Sequence, residues 1–195
     1  MSIYALKSRF QNLLRPSVIF LAKKGITANQ VTIAACALSV ILGLFLSWRG
    51  PSLWFCLLPL WLFIRMALNA IDGMLAREHN QQSKLGGFLN ELCDVIADSA
   101  LYLPFCFVGA FGQIVMPLII FLAILSEYAG VMGPLIGGTR RYDGPMGKSD
   151  RAFVFGALGL WVGLAVNLPS WSIFIAWLII ALLIVTIIKR VINNL

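Results

Sequence analysis

The sequence predicts an all-α, polytopic membrane protein with six transmembrane helices and an amphipathic surface helix at its N-terminus. Three observations carry that prediction. Apolar residues make up 60% of the 195-residue chain, and its mean hydropathy of +0.90 lies far beyond that of an ordinary soluble domain. Charged residues account for only 12%, about half the usual share. The apolar residues also fall into six blocks of roughly span length, separated by turn chemistry.

Residues 1–28 read as a basic juxtamembrane segment and 29–195 as one six-helix domain. Within 3–22, Tyr4, Leu6, Phe10, Leu13, Leu14, Val18, Ile19 and Leu21 interleave with Lys7, Arg9 and Arg15. That pattern suits a helix lying on the membrane surface, interrupted near Pro16. No basic start, apolar middle and small-residue cleavage site combine here, so no signal peptide is expected. Thr27 is placed to cap the next helix. The spans are then expected near 29–48, 53–71, 88–111, 114–137, 152–167 and 171–188. Arg49-Gly50-Pro51-Ser52, Gly109 to Gln113, and Asn167-Leu168-Pro169-Ser170 mark the breaks.

Charge asymmetry orients the chain. The N-terminus, Arg77 and Lys84, the 138–151 loop, and Lys189 and Arg190 all fall on one side, leaving Arg49 on the other. Both termini are therefore expected in the cytoplasm, which an even number of spans allows. The net charge of +7 is assigned to this asymmetry and to anionic lipid of the bilayer, not to nucleic acid. Trp48, Trp54, Trp61 and Trp171 read as interface anchors. Cys36, Cys56, Cys93 and Cys106 lie scattered in apolar stretches and read as small buried hydrophobes.

Residues 65–98 carry the chemistry. Asn69 and Asp72 sit three apart at the expected cytoplasmic end of the second span; Asn90, Asp94 and Asp98 sit four apart at the start of the third. Each set shares one helix face, with Glu91 about 100° away. Ionised carboxylates in apolar helices cost about 2.5–3.5 kcal/mol each at mid-membrane, so a group of them calls for a compensating cation. Oxygen ligands without His or Cys point to Mg²⁺ or Mn²⁺ before Zn²⁺. Magnesium held by few side chains completes its shell with water and phosphates, which predicts a phosphate-bearing ligand. Arg77 could clamp that charge, and Gly73 and Ala76 leave room for a flat group such as a nucleobase. The competing reading is structural: acids facing water at helix ends, amides bonding between helices.

This stretch resembles the CDP-alcohol phosphotransferases (CDP-alcohol phosphatidyltransferases). Their signature is D-x-x-D-G-x-x-A-R, eight residues, then G-x-x-x-D-x-x-x-D. Here it reads Asn69-x-x-Asp72-Gly73-x-x-Ala76-Arg77, eight residues, Gly86-x-x-x-Asn90-x-x-x-Asp94, matching at six of eight positions with the spacer intact. The basic surface helix, the T-A-N-Q-V-T helix start at 27–32 and the six spans are similar too. The resemblance implies transfer of a phosphate-linked alcohol from a CDP-alcohol to a hydroxyl acceptor, with release of CMP. It implies metal ligands at Asp72 and Asp94, with Asn69 and Asn90 offering carbonyl oxygens at the other two positions; Glu91, next to Asn90, could supply a carboxylate if that helix were rotated or locally unwound. Asp94 would also deprotonate the acceptor. Asp72, Gly73, Ala76, Arg77 and Gly86 would hold the donor's cytidine and diphosphate. It implies a homodimer as well, and Gly130, Gly133 and Ala157 would permit close packing.

The departures are Asn69 and Asn90, which each offer a carbonyl oxygen but no charge. The expected donor is CDP-diacylglycerol and the expected acceptor a polar alcohol such as glycerol 3-phosphate, the setting a bacterial inner membrane. Arg140, Arg141, Lys148 and Arg151 are candidates to bind an anionic acceptor, against a plain role as positive-inside anchors. Arg65 is expected to pair with Glu127 or an acid of the cluster. Two rival functions follow from the same residues. One is a catalytically impaired CDP-lipid-binding protein, on the strength of Asn69 and Asn90. The other is a cation transporter using Asp72, Asp94, Asp98 and Glu127 as a relay.

Overall fold

The computed structural model describes the backbone from Ile3 to Leu195 and side chains from Arg9 onward; expectations placed on Met1 and Ser2, and on the side chains of Tyr4, Leu6 and Lys7, lie outside the described residues. Among the described residues all regular structure is helical. Seven α-helices follow one another: α1 (Ile3–Lys23), α2 (Ala28–Arg49), α3 (Leu57–Glu78), α4 (Lys84–Tyr102), α5 (Gly112–Met132), α6 (Lys148–Ala165) and α7 (Ile173–Ile192). Short 3₁₀ turns at Leu53–Cys56, Leu103–Phe107, Gly133–Ile136 and Ser170–Ser172 fill the junctions. Four helical stretches are long and apolar enough to cross a bilayer: Ala28–Arg49, Leu53–Glu78, Gly112–Ile136 and Ser170–Ile192. α4 and α6 begin with charged residues, Lys84 and Glu91 in one and Lys148, Asp150 and Arg151 in the other, which lowers their mean hydropathy.

The helix boundaries follow local chemistry. Thr27 caps α2 as expected: its Oγ1 accepts the Gln30 N–H at 3.2 Å while Gln30 Oε1 accepts the Thr27 N–H at 2.9 Å. α3 runs seven residues beyond its expected end, to Glu78, because nothing from Asp72 to Arg77 breaks a helix. α4 ends at Tyr102, earlier than the expected 111, because Pro104 lacks the N–H that a continuing helix needs. α1 passes through Pro16 without interruption; Pro16 is exposed, so the carbonyl it frees is not trapped in the interior.

The chain divides into two compact units. The first comprises residues 1–40 and 63–97. Its apolar centre joins Val18 of α1 to Ala28 and Val31 of α2 and to Ile71, Met74 and Leu75 of α3. The Phe10 and Phe63 rings meet edge-on at 6.4 Å, and Arg15 pairs with Glu78 at 3.1 Å in an exposed contact.

The second unit comprises residues 41–62 and 98–195. Phe55, Tyr102, Phe105 and Phe155 form its aromatic centre, with Tyr102 stacked on Phe155 at 3.9 Å. α6 approaches the Phe55–Leu58 segment closely at Gly159, where a Cβ would stand 2.9 Å from Leu58 Cβ. Gly130 is similarly occupied, since a Cβ there would meet the Arg141 carbonyl at 2.6 Å.

Beneath this apolar centre lies a buried ion cluster. Arg151, 1% exposed, donates to Asp98 Oδ2 at 3.1 Å, Glu127 Oε1 at 2.9 Å and Ser126 Oγ at 3.2 Å. Arg190, also 1% exposed, lies 3.3 Å from Glu127 Oε1 and donates to the Ser126 carbonyl and, at 3.1 Å, to the Asp143 carbonyl. Glu127 thus takes Arg151 and Arg190, and Arg140 stands at 3.7 Å from its second oxygen.

Removing one partner of a buried ion pair costs about 3–5 kcal/mol, because the other charge stays behind. Glu127→Ala should therefore lower the melting temperature of the detergent-purified protein sharply. Arg15→Ala, which breaks an exposed pair, should cost about 0–1 kcal/mol and leave the melt nearly unchanged.

Candidate active site

The first unit builds the site from three helix segments. α3 closes with Asn80 in the left-handed conformation, and the Gln81 N–H returns to the Ala76 carbonyl at 3.1 Å. That turn is a Schellman-type stop, in which Asn tolerates the positive φ. It sets Gln81 so that its Oε1 accepts the Ala28 N–H at 2.7 Å, tying the start of α2 to the end of α3. Ser83 caps α4 by accepting the Gly86 N–H at 2.9 Å.

A cleft of about 410 Å³ opens among these segments. Six of the expected site residues line it: Asp72, Gly73, Ala76 and Arg77 from α3, and Gly86 and Asn90 from α4. The remaining wall comes from Ala28, Asn29 and Thr32 of α2 and from Gln81, Gln82, Ser83 and Gly87. The two glycines keep it open in different ways. A Cβ on Gly73 would stand 3.2 Å from Arg77 Nη2, so the guanidinium lies folded over the space that Gly73 leaves. A Cβ on Gly86 would stand 2.8 Å from Asn29 Oδ1.

The two motif carboxylates have different surroundings. Asp72 is 5% exposed, and its Oδ2 accepts the Thr32 hydroxyl at 2.8 Å. Asp94, one helical turn beyond Asn90, does not line the cleft. Its Oδ1 accepts Arg65 Nη2 at 3.2 Å and the Asn69 amide at 3.2 Å, and its backbone carbonyl accepts the same Arg65 nitrogen at 3.1 Å. Of the two partners expected for Arg65, the cluster acid is therefore the one it takes. Asn69 and Asp94 are brought together, Asn90 and Asp72 share the cleft, and Glu91 stands on neither wall.

Sequence reasoning missed Thr32, Asn29 and Gln81. The 27–32 helix start held the signal: Asn29 and Thr32 sit three apart and so share a helix face. Gln81 carried none, because its role depends on the turn that follows α3. Of the four candidate acceptor residues, Arg151 is committed to the buried ion cluster. Arg141 donates to Asn194 Oδ1 at 3.3 Å and to the Asn193 carbonyl. Arg140 stacks over the Tyr142 ring at 4.4 Å beside Glu127, and Lys148 opens α6, half-buried.

The donor set suits a hard cation. Asp72, Asp94 and Asn90 carry carboxylate or amide oxygens of the kind a hard cation takes, while Asn69 turns its amide N–H toward Asp94. Asp72 and Asn90 share the cleft with Arg77.

Comparison with known proteins agrees with this geometry. The sequence pattern of the CDP-alcohol phosphatidyltransferases matches residues 25–189. The chain is 50% identical over 172 residues to inner membrane protein YnbA of Escherichia coli (strain K12), covering 88% of this chain and 86% of that protein. It is 26% identical over 194 residues to the phosphatidylinositol phosphate synthase of Mycolicibacterium smegmatis, covering 95% of this chain and 85% of that one. In fold it is similar to Mycobacterium tuberculosis phosphatidylinositol phosphate synthase, solved with CDP-DAG bound, at a TM-score of 0.76 and 19% identity over 92% of each chain. A second structure of that synthase, in complex with manganese and citrate, gives the same TM-score at 22% identity, covering 92% of this chain and 87% of that one. Mg²⁺ or Mn²⁺ is the cofactor of this family. The chain is a membrane enzyme belonging to the CDP-alcohol phosphatidyltransferase family.

Proposed function

We propose that the protein transfers a phosphatidyl group from CDP-diacylglycerol to a polar, phosphorylated alcohol, in a form of the family site with Asn at the first and third acidic positions. The observation that carries this reading is the cleft itself. It gathers Asp72, Gly73, Ala76, Arg77, Gly86 and Asn90, residues separated by up to 18 positions in sequence. A diphosphate needs a cation beside it, a forked donor and space for its base, and these residues supply them in one place.

The donor's cytidine lies against Gly73, Ala76 and Gly86, where no side chain fills the cleft, and Arg77 takes its diphosphate. Asp72, steadied by the Thr32 hydroxyl, and Asn90 hold the divalent cation, which supplies charge neutralisation at the diphosphate. Asp94 accepts the proton of the acceptor hydroxyl as its oxygen bonds to the phosphorus that carries the lipid. The phosphorus–oxygen bond to CMP breaks, and CMP departs with that electron pair. Arg65 and Asn69 fix the Asp94 carboxylate so that it meets the hydroxyl in one orientation.

The acceptor class is supported by the relatives' names, phosphatidylinositol phosphate synthase and, in Pyrococcus horikoshii, archaetidylinositol phosphate synthase. The basic residues of the 138–151 segment remain our candidates for the anionic acceptor, although Arg141, Arg151 and, through Glu127, Arg140 also serve the second unit's own structure. We place α2 to α7 across an inner membrane as six spans, α1 on its cytoplasmic surface and both termini in the cytoplasm, in a homodimer.

The test is CMP release by the purified protein in mixed micelles with CDP-diacylglycerol, Mn²⁺ and a pool of phosphorylated polyols. Wild type should release CMP, and Asp94→Asn should slow it by about 10²-fold or more. Metal-dependent donor binding without CMP release would replace this reading with that of a lipid-nucleotide-binding protein. Gly86→Val places methyls against Asn29 Oδ1 and Ser83 Oγ and narrows the cleft. Calorimetry of CDP binding with Mn²⁺ should show the affinity fall about tenfold, a loss of about 1.4 kcal/mol.

A further inference from the structure

We propose that Arg65 takes the place of a second divalent cation at Asp94, so that the chain holds one Mg²⁺ or Mn²⁺, at Asp72, and reserves Asp94 for the acceptor's proton. The inference rests on the transferase reading above and concerns how the chain's own residues balance the charge of its site.

The placement of Arg65 is the first ground. It is 3% exposed within an apolar helix, a position where a guanidinium is costly and has to be matched. One of its terminal nitrogens reaches both the backbone carbonyl and the Oδ1 carboxylate oxygen of Asp94, at 3.1 and 3.2 Å. Two anchors on one residue hold the positive charge beside that carboxylate.

Asn69 is the second ground. Its amide donates an N–H to the same Oδ1 at 3.2 Å. An Asp at this position would set a second carboxylate against Asp94, and the two would need a cation between them. The amide instead bonds Asp94 directly. A donor N–H and a guanidinium converging on one oxygen fill the side from which a metal ion would ligate it, and both repel a cation.

Charge balance is the third. Acids at all four motif positions would total −4, enough to balance two divalent cations. Here the two acids Asp72 and Asp94 total −2, and Arg65 brings the group to −1. Arg65 already offsets Asp94, which leaves Asp72 and the donor's diphosphate to balance one ion. Asp72 has the surroundings for it: it lines the cleft with Asn90 and Arg77, while Asp94 lies off that wall. Asp94 therefore acts as the base without being a ligand, and Arg65 is a positioning residue that fixes the orientation of its carboxylate.

The experiment is a Mn²⁺ titration of the detergent-purified full chain, with unbound Mn²⁺ counted by electron paramagnetic resonance. Wild type should hold one Mn²⁺ per chain. Arg65→Gln removes the neighbouring like charge and should tighten Mn²⁺ about tenfold. The double variant Arg65→Gln with Asn69→Asp should hold two. A purely structural Arg65 would leave affinity unchanged or weaken it in the folded variant, and that result overturns the proposal. Two Mn²⁺ per wild-type chain overturns it as well, while leaving the transferase reading intact. If the variants fail to fold, the wild-type stoichiometry decides alone. No bound Mn²⁺ also sinks the proposal, and it takes the transferase reading with it only if CMP release fails too.

Discussion

Everything in this protein depends on matching charge inside apolar helices. Lipid offers an ion nothing, so each buried guanidinium or carboxylate has to find its partner within the chain. The second unit meets that demand with Arg151 and Arg190 set against Asp98 and Glu127. The first unit meets it with Arg65 on Asp94 and a threonine hydroxyl on Asp72. These partnerships decide which side chains are locked and which face a cleft. The apolar packing differs in each unit: Val18, Ala28, Val31, Ile71, Met74 and Leu75 support the first, and the close pass of α6 at Gly159 belongs to the second.

The same demand gives the two acids of the motif different surroundings. Asp94 is held through one oxygen by a charged and a neutral donor, whereas Asp72 takes one hydroxyl and lines the cleft. Two carboxylates that look alike in the signature are thus unlike in their electrostatics.

Much of this was legible in the sequence, and what was missed has physical reasons. The apolar blocks placed α2, α5, α6 and α7 to within about five residues at either end, because periodic hydrophobicity dominates over local detail, whereas the C-terminal ends of α3 and α4 lay further off. The signature put Asp72, Gly73, Ala76, Arg77, Gly86 and Asn90 in one cleft, since three- and four-residue spacings fix helix faces. The burial of Arg190 was not legible. In sequence it is one of several basic residues near the end of the last span, and only contacts from 47 and 64 residues away draw it inward. Arg151 misled for the same reason, reading as one more cation of a basic loop. The continuity of α1 through Pro16 depends on which way the ring faces, and composition does not encode that.

The Arg190 contact also has a temporal side. Ribosomes deliver a chain from its N-terminus, so Glu127 is made before either of its principal partners. Arg151 follows 24 residues later and can neutralise it early, but the Ser126 carbonyl must wait 64 residues for Arg190. Until α7 has been threaded, α5 carries a polar notch turned toward its neighbours. The last helix thus brings the final charge to an ion cluster whose acids were made long before it.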